Sequence, residues 1–326
     1  MKIPELWLLA ITACSIAAAD AARAADAPAY PSRPIRFLLP FAPGGSADVI
    51  GRVLSPKLAE AMGQPWVVDN RGGAAGNIAA ETTARAAPDG HTVFLGLSTI
   101  VTANPALYKL AFSMEKDLQP VTTLTMSQYI FVLHPGVPAN SIKELIALAK
   151  QKPRALNFSS GGVGSPLHLA VELFQRRAGI EMVHVPFKSG GSATAAVVSG
   201  EVQMAASSIA SSMQMMKAGR IKAIATTGAR RSPLAPELPT LIEAGFPGLD
   251  ISSWYGLLVP AGTPAAIVQR IRDEVLKAVQ LPDVRQALTG QGLQIETSTP
   301  QAFAARIRAD TQTWAEVIKA AGIKGE

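Results

Sequence analysis

A single cysteine, Cys14, stands in a chain of 326 residues, and it lies inside an N-terminal apolar segment. One thiol cannot build a disulfide framework or a Cys-x-x-Cys metal or redox site. Charged residues are also scarce, at 17%, below the roughly 25% usual in soluble domains, so a membrane span has to be sought first. The one apolar stretch of note, Leu6 to Ala19, is too short for a dependable span. Aromatics make up only 6%, and no lysine or arginine run accompanies the formal net charge of +6. Basic residues alternate with acids, as in Arg270, Arg272, Asp273 and Glu274. Nucleic-acid binding, which needs a concentrated basic patch with stacking aromatics, is therefore disfavoured.

Chemical signatures are missing too. The four histidines, His91, His134, His168 and His184, show neither H-x-x-x-H nor H-E-x-x-H spacing, and no metal is expected. There is no G-x-x-x-x-G-K-[ST] loop, no G-x-G-x-x-G fingerprint and no G-x-S-x-G elbow. Glycine and proline, 27 and 24 residues, stay well short of the roughly 25 to 30% of low-complexity chains. The length suits two domains rather than one ordinary core.

What is present begins with an address. Lys2, the apolar stretch and Ala22-Arg23-Ala24 form the n-region, h-region and A-x-A pattern of a secretory signal peptide over residues 1–24. A buried N-terminal helix is the plain alternative. Ile11-Thr12-Ala13-Cys14 resembles a lipoprotein box, which would put a lipid on Cys14. Removing residues 1–24 takes away Lys2, Arg23, Glu5 and Asp20 and leaves the charge unchanged. Either processing route places the mature chain outside the cytoplasmic membrane, in the periplasm, where ATP and nicotinamide cofactors are scarce. No cofactor is expected.

Beyond the address, strands and helices alternate. Ile35 to Phe41 is an apolar run suited to a strand buried on both faces, followed by Pro43-Gly44-Gly45-Ser46-Ala47-Asp48 and a helix from Val49 to Met62. Tyr129 to His134, Leu156 to Ser159, Met182 to Pro186, Val202 to Ala206 and Ile221 to Thr226 read as further strands. Gly179, Gly200 and Gly219 stop helices, while Ser141, Thr263-Pro264 and Thr299-Pro300 open them. The pattern is that of an α/β protein whose chain crosses between two lobes more than once.

Three glycine-rich turns enter helices after strands. The first, Gly44-Gly45-Ser46-Ala47-Asp48, offers consecutive amides with a helix N-terminus behind them, which suits an anion; alternatively Asp48 only steadies the first helical turn. The second, Ser160-Gly161-Gly162-Val163-Gly164-Ser165-Pro166, repeats the arrangement, with Ser165 equally suited to capping. Facing each other, the two could hold the ends of a dicarboxylate. The third, Phe187-Lys188-Ser189-Gly190-Gly191-Ser192, adds a lysine that is either a carboxylate partner or simply solvated. In Ser252-Ser253-Trp254-Tyr255-Gly256 the aromatics line a cleft or fill a core, and core suits Trp254 better. His168 reads as a structural histidine rather than a cleft residue.

At these residues the chain resembles the Bug family, the periplasmic solute-binding proteins of tripartite tricarboxylate transporters. The resemblance is carried by Pro40 to Asp48, Val68-Asp69-Asn70-Arg71-Gly72-Gly73 to Ile78, Ala87-Pro88-Asp89-Gly90, His184 to Gly191, and Trp254-Tyr255-Gly256 through Thr263-Pro264, in order along the chain. It implies a two-lobed type II periplasmic binding protein fold, each lobe a mostly parallel sheet flanked by helices. Lobe 1 is expected from residues 25–127 plus 250–326 and lobe 2 from 128–249. The resemblance further implies ligand-binding roles for Gly44, Gly45, Ser46 and Asp48, for Ser160, Gly161, Gly162 and Ser165, and for Phe187 and Lys188. Two departures stand out: Arg71-Gly72-Gly73 where the family commonly has Arg-Pro-Gly, and Phe187 where tyrosine is frequent.

The expected function is thus capture of a small carboxylate (a di- or tricarboxylate, amino acid or aromatic acid) by a monomer, without catalysis, and its delivery to the membrane subunits of a tripartite tricarboxylate-type transporter. Two competitors remain: a sensing module that presents the same ligand to a receptor, and a secreted hydrolase using Ser46 or Ser165, for which the sequence offers no evident base.

Overall fold

Ile35, Phe37, Leu38 and Leu39 are completely buried in the first strand, β1 (Ile35–Leu39), so the unbroken apolar run packs on both sides of a sheet. The computed structural model describes residues 30–325; the expected signal segment and Cys14 lie outside the described residues. From β1 the chain enters α1 (Ser46–Met62), β2 (Trp66–Asn70), α2 (Asn77–Ala84) and β3 (Thr92–Leu97). Three short helices follow, α3 (Ser98–Thr102), α4 (Asn104–Leu107) and α5 (Met114–Asp117), and then β4 (Leu118–Ser127).

The second sheet starts at β5 (Tyr129–Leu133), continuing through α6 (Ile142–Gln151), β6 (Asn157–Ser160), α7 (Pro166–Ala178), β7 (Val183–Pro186) and α8 (Gly190–Ser199). It ends with β8 (Met204–Ser208), α9 (Ile209–Lys217) and β9 (Lys222–Thr226). The chain then returns to the first sheet in β10 (Ser253–Pro260), α10 (Ala265–Ala278), α11 (Pro282–Gly290), β11 (Gln294–Ile295) and α12 (Pro300–Ala321).

The strand orders are β11-β4-β10-β3-β1-β2 and β7-β6-β8-β5-β9. Where mostly parallel sheets were expected, both are mixed. Parallel pairing holds β2-β1-β3 and β7-β6-β8 together. The antiparallel pairs involve β4, β5 and β10, the strands flanking the crossings between sheets. These strands run against their neighbours because the chain passes straight from one sheet to the other without a covering helix to reverse it.

Period-two alternation sorts β5 between two cores. Phe131 and Leu133 join a cluster with Phe158, Phe174 and Leu173, while Ile130 and Val132 join Val197, Val202 and Ile221 on the opposite face. The first lobe has its own core around Phe37, Phe94, Trp254 and Phe303. α12 belongs to both lobes: Phe303 and Ile307 pack into the first-lobe core, and Trp314, Val317 and Ile318 into the second.

Helix ends follow sequence chemistry with one correction. Gly179 and Gly200 adopt the left-handed conformation as helix stops, at φ 61° and 81°. Ser141, Ser165 and Thr299 each accept a hydrogen bond from an amide of the first turn. Thr263 does not: its hydroxyl donates to the Pro260 carbonyl, and Pro264 takes the capping position in its place. A proline there leaves no donor needing a partner.

Candidate functional site

Between the two sheets lies a cavity of about 520 Å³. The first lobe contributes Ser46, Leu97, Ser253, Tyr255 and the segment Gln291–Gly292–Leu293. The second contributes Gly161, Ser165, Pro166, Leu167, Gly190, Gly191, Ser207, Ser208, Ile209 and Ser211. Ser127, Gln128 and Tyr129, where the chain crosses, complete the wall. No acidic, basic or histidine side chain is among these lining residues.

The charge complement comes from helix ends. α1 opens at Ser46, α7 at Pro166, α8 at Gly190 and α9 at Ile209, and all four N-termini border the cavity. First-turn amides have no partner within their own helix, and the helix dipole adds partial positive charge there. Such a cavity attracts an anion without any cationic side chain. Its middle is apolar and hydroxyl-bearing, through Leu97, Leu167, Ile209, Leu293, Tyr129 and Tyr255. Burial raises the Tyr129 phenol to about 12 and raises that of Tyr255 as well. Both remain neutral donors at any physiological pH.

The first glycine loop is shaped by Asp48 rather than lined by it. Its Oδ2 accepts hydrogen bonds from the Gly44 amide (3.1 Å) and from Arg52 Nε (2.9 Å), folding the loop back over the start of α1. The Arg52 hydrogen bond, ahead of the Gly44 amide, holds the Asp48 carboxyl below its usual range. Ser46 lines the cavity, whereas exposed Gly44 and Gly45 and buried Asp48 do not.

In the second loop Gly161 and Ser165 line the cavity and Ser160 and Gly162 do not. Gly161 is obligatory on steric grounds: a Cβ there would lie 2.9 Å from the Gly190 amide nitrogen. The Ser160 hydroxyl is fully buried, 2.7 Å from His184 Nε2, and donates to the Gly162 carbonyl at 3.0 Å. The serine of this contact is buried, the imidazole is partly exposed, and neither residue lines the cavity. Ser165, the other serine suggested as a nucleophile, caps α7 by accepting from the His168 amide.

Phe187 and Lys188 lie elsewhere. With Gly162, Val163, Pro186 and Ser192 they form a separate open groove of about 590 Å³ on the far side of the Gly161–Gly164 loop. His168 is buried, its Nδ1 accepting from the Gly164 amide, as a structural histidine would be. Trp254 is fully buried and donates to Asp310 Oδ2 at 2.8 Å, so its core assignment holds, while its neighbours Ser253 and Tyr255 face the cavity.

Sequence reasoning missed the N-terminus of α9, the crossing residues Ser127–Tyr129 and the Gln291–Leu293 segment. Gly190 and Gly191 had been visible as a helix entry next to Lys188. A hydroxyl chain now explains part of the serine content. Ser207 Oγ lies 2.8 Å from Thr194 Oγ1 and 2.7 Å from Ser212 Oγ, joining α8 to α9 behind the wall. Among the described residues no group of three or more His, Cys, Asp or Glu could hold a metal ion. Nor is any helix among them long and apolar enough to cross a membrane.

Comparison with known proteins places this geometry among similar ones. Residues 50–323 match the family described as "Tripartite tricarboxylate transporter family receptor", TctC. A UPF0065 protein from the tcbD-tcbE intergenic region of Pseudomonas sp. is 35% identical over 91% of this chain and 88% of its own length. BugT of Bordetella pertussis is 33% identical over 97% and 98% respectively. A TctC solute-binding protein from Polaromonas superposes with a TM-score of 0.81 at 28% identity, over 89% of this chain and 99% of that one. Two further similar structures carry ligands. Rpa4515 of R. palustris with adipate has a TM-score of 0.74 at 31% identity, over 91% and 100%. MatC of Rhodopseudomonas palustris with bound malate has 0.72 at 32%, over 89% and 100%.

Proposed function

Because this chain belongs to the tripartite tricarboxylate transporter receptors of the TctC and Bug type, periplasmic solute-binding proteins with a two-lobed type II fold, we propose that it captures a small carboxylate in the interlobe cavity. It then delivers the ligand to membrane subunits of a tripartite tricarboxylate-type transporter. The observation that carries this reading is the convergence of four helix N-termini, one from the first lobe and three from the second, on a cavity without charged side chains. The ligands of the two similar structures, malate and adipate, are of the same chemical class.

In this reading the amides of Gly45 and Ser46 at the start of α1 receive one carboxylate, while Gly44, its amide held by Asp48, fixes the loop. Gly161 and Ser165, joined by Gly190, Gly191 and Ser208, receive the other end, with Ser160 and Gly162 shaping their loop. Phe187 and Lys188 stand at the neighbouring groove. The lobes divide at residues 127–128 and 249–250, with the last turns of α12 resting on lobe 2. Ligand contacts made by both lobes together supply the differential affinity that favours closure. A binding role without bond chemistry is the reading favoured here, since neither Ser46 nor Ser165 hydrogen-bonds a base among the described hydrogen bonds.

Isothermal titration of protein freed of co-purified ligand, against malate, adipate, citrate, glutamate and benzoate, tests the proposal. Binding of at least one carboxylate, with loss of affinity when Ser46 is replaced by proline, is expected. Failure of every carboxylate to bind would sink it.

A further inference from the structure

We propose that His168 and His184 are positioning residues for ligand capture, a stacked imidazole pair that holds the second-lobe loop so that Gly161 and Ser165 face the cavity. The inference rests on the reading of that cavity as the ligand site. The two ring centroids lie 3.7 Å apart at 12°, and Phe158 stacks beside them, 4.9 Å from His184 and 6.0 Å from His168.

Each ring grips the loop at one point. His168 Nδ1 accepts from the Gly164 amide at 3.0 Å, immediately before Ser165. His184 Nε2 meets Ser160 Oγ at 2.7 Å, and that hydroxyl bonds both the amide and the carbonyl of Gly162, spanning Gly161. The backbone amide of His168 also donates to Ser165 Oγ. One residue therefore fixes both the loop and the cap of the helix that follows it.

The Gly164 bond dictates a tautomer. With Nδ1 accepting, the proton of neutral His168 sits on Nε2, facing Glu172 Oε1 at 3.5 Å. The groups facing the pair are Glu172 from α7, Ser160 and Phe158 from β6, and each ring from the other's element. Arg154, Arg176 and Glu181 share the outer depression with Glu172. Burial, followed by the neighbouring His168, pushes His184 down to about 4. His184 therefore meets Ser160 as a neutral ring at physiological pH.

Amide hydrogen exchange of ligand-free protein tests this, with wild type, His168→Asn and His168→Phe compared at about pH 7.5, where an ordinary imidazole is neutral. Asparagine keeps an acceptor near the Nδ1 position and cannot be protonated; phenylalanine keeps the stack and removes the acceptor. Protection of Gly164 is expected to fall roughly tenfold in the Phe variant, the worth of one lost amide bond, and to stay near wild type in the Asn variant. Titrations with malate and adipate should rank the variants in the same order. Should the Phe variant not fold, His168→Gln, whose carbonyl sits one methylene further out, takes its place with the same expectation. Equal Gly164 protection in the acceptor-bearing and acceptor-less variants overturns the proposal. Exchange in the expected order without carboxylate binding would instead uphold the grip of the pair and count against the proposed function.

Discussion

Ser127, the last residue of β4, lies directly opposite Ser253, the first residue of β10, in an antiparallel pair at the base of the cavity. The two passages between lobes therefore run side by side. Just beyond them Thr227 ties the passages together. It accepts from the Tyr129 amide (2.9 Å), donates from its hydroxyl to the Ile251 carbonyl (3.1 Å), and exchanges backbone bonds with both residues.

Thr227→Val keeps the shape of this buried residue and removes the hydroxyl, leaving the Tyr129 amide and the Ile251 carbonyl without partners. A loss of about 2 to 3 kcal/mol in unfolding free energy is expected in urea titration. Ligand affinity should fall as well, because the passages set the angle between the lobes. A stability change under about 0.5 kcal/mol, the range of ordinary surface substitutions, would remove Thr227 from this role.

Gly161→Ala places a methyl group against backbone, 2.9 Å from the Gly190 nitrogen, where no flexible side chain can yield. The loop must move away from the N-terminus of α8, and both border the cavity. The expected penalty is about 1 to 3 kcal/mol in stability, with carboxylate affinity falling at least roughly tenfold. Wild-type affinity in calorimetry would show that the Gly161–Gly190 approach does not shape the site.

Binding through helix ends predicts a weak response to salt. With no ionised side chain in the wall, the dissociation constant for a carboxylate should change by less than about threefold between roughly 0.05 and 0.5 M salt, since screening acts mainly on exposed charges. A steeper dependence would point to a cation outside the cavity, Lys188 being the nearest one proposed.

Asp310 accepts from Trp254 Nε1, and burial raises its carboxyl above the ordinary value of 3.8. The folded protein thus holds this proton more tightly than the unfolded chain. Its contribution is fully present below about pH 4 and is lost as pH rises through the elevated folded value. Asp310→Asn keeps an acceptor for Trp254 and removes the titration. The stability of wild type relative to this variant should decline from about pH 4 upward. A difference independent of pH would show that Asp310 does not titrate in the folded state.

Much of this architecture could be read from residues alone where apolar periodicity and glycine placement reported it. β1 is a plain apolar run, and Gly179 and Gly200 mark helix ends. β4 was not legible, because buried Thr122, Thr123 and Thr125 are interspersed with Val121, Leu124 and Met126 and break the apolar run. The Thr122 hydroxyl donates to Ser298 and Thr123 carbonyls, partners remote or local that no pattern announces. The site was half legible for a related reason. Glycine loops show where amides are free, but Ser127, Tyr129, Ser208 and Tyr255 become wall only when four separated strand ends meet. Phe187 and Lys188 adjoin the second loop in sequence logic, yet a single turn of backbone puts them on its outer side.

The C-terminal helix, seated in both cores, couples the angle between the lobes to its own packing. A change of that angle about the Ser127–Ser253 passages would require α12 to flex between Ile307 and Trp314 or to slide its indole out of the second core. The resting angle is then set by a strut remote from the cleft, and the indole of Trp314 becomes a natural gauge of how far the lobes have parted.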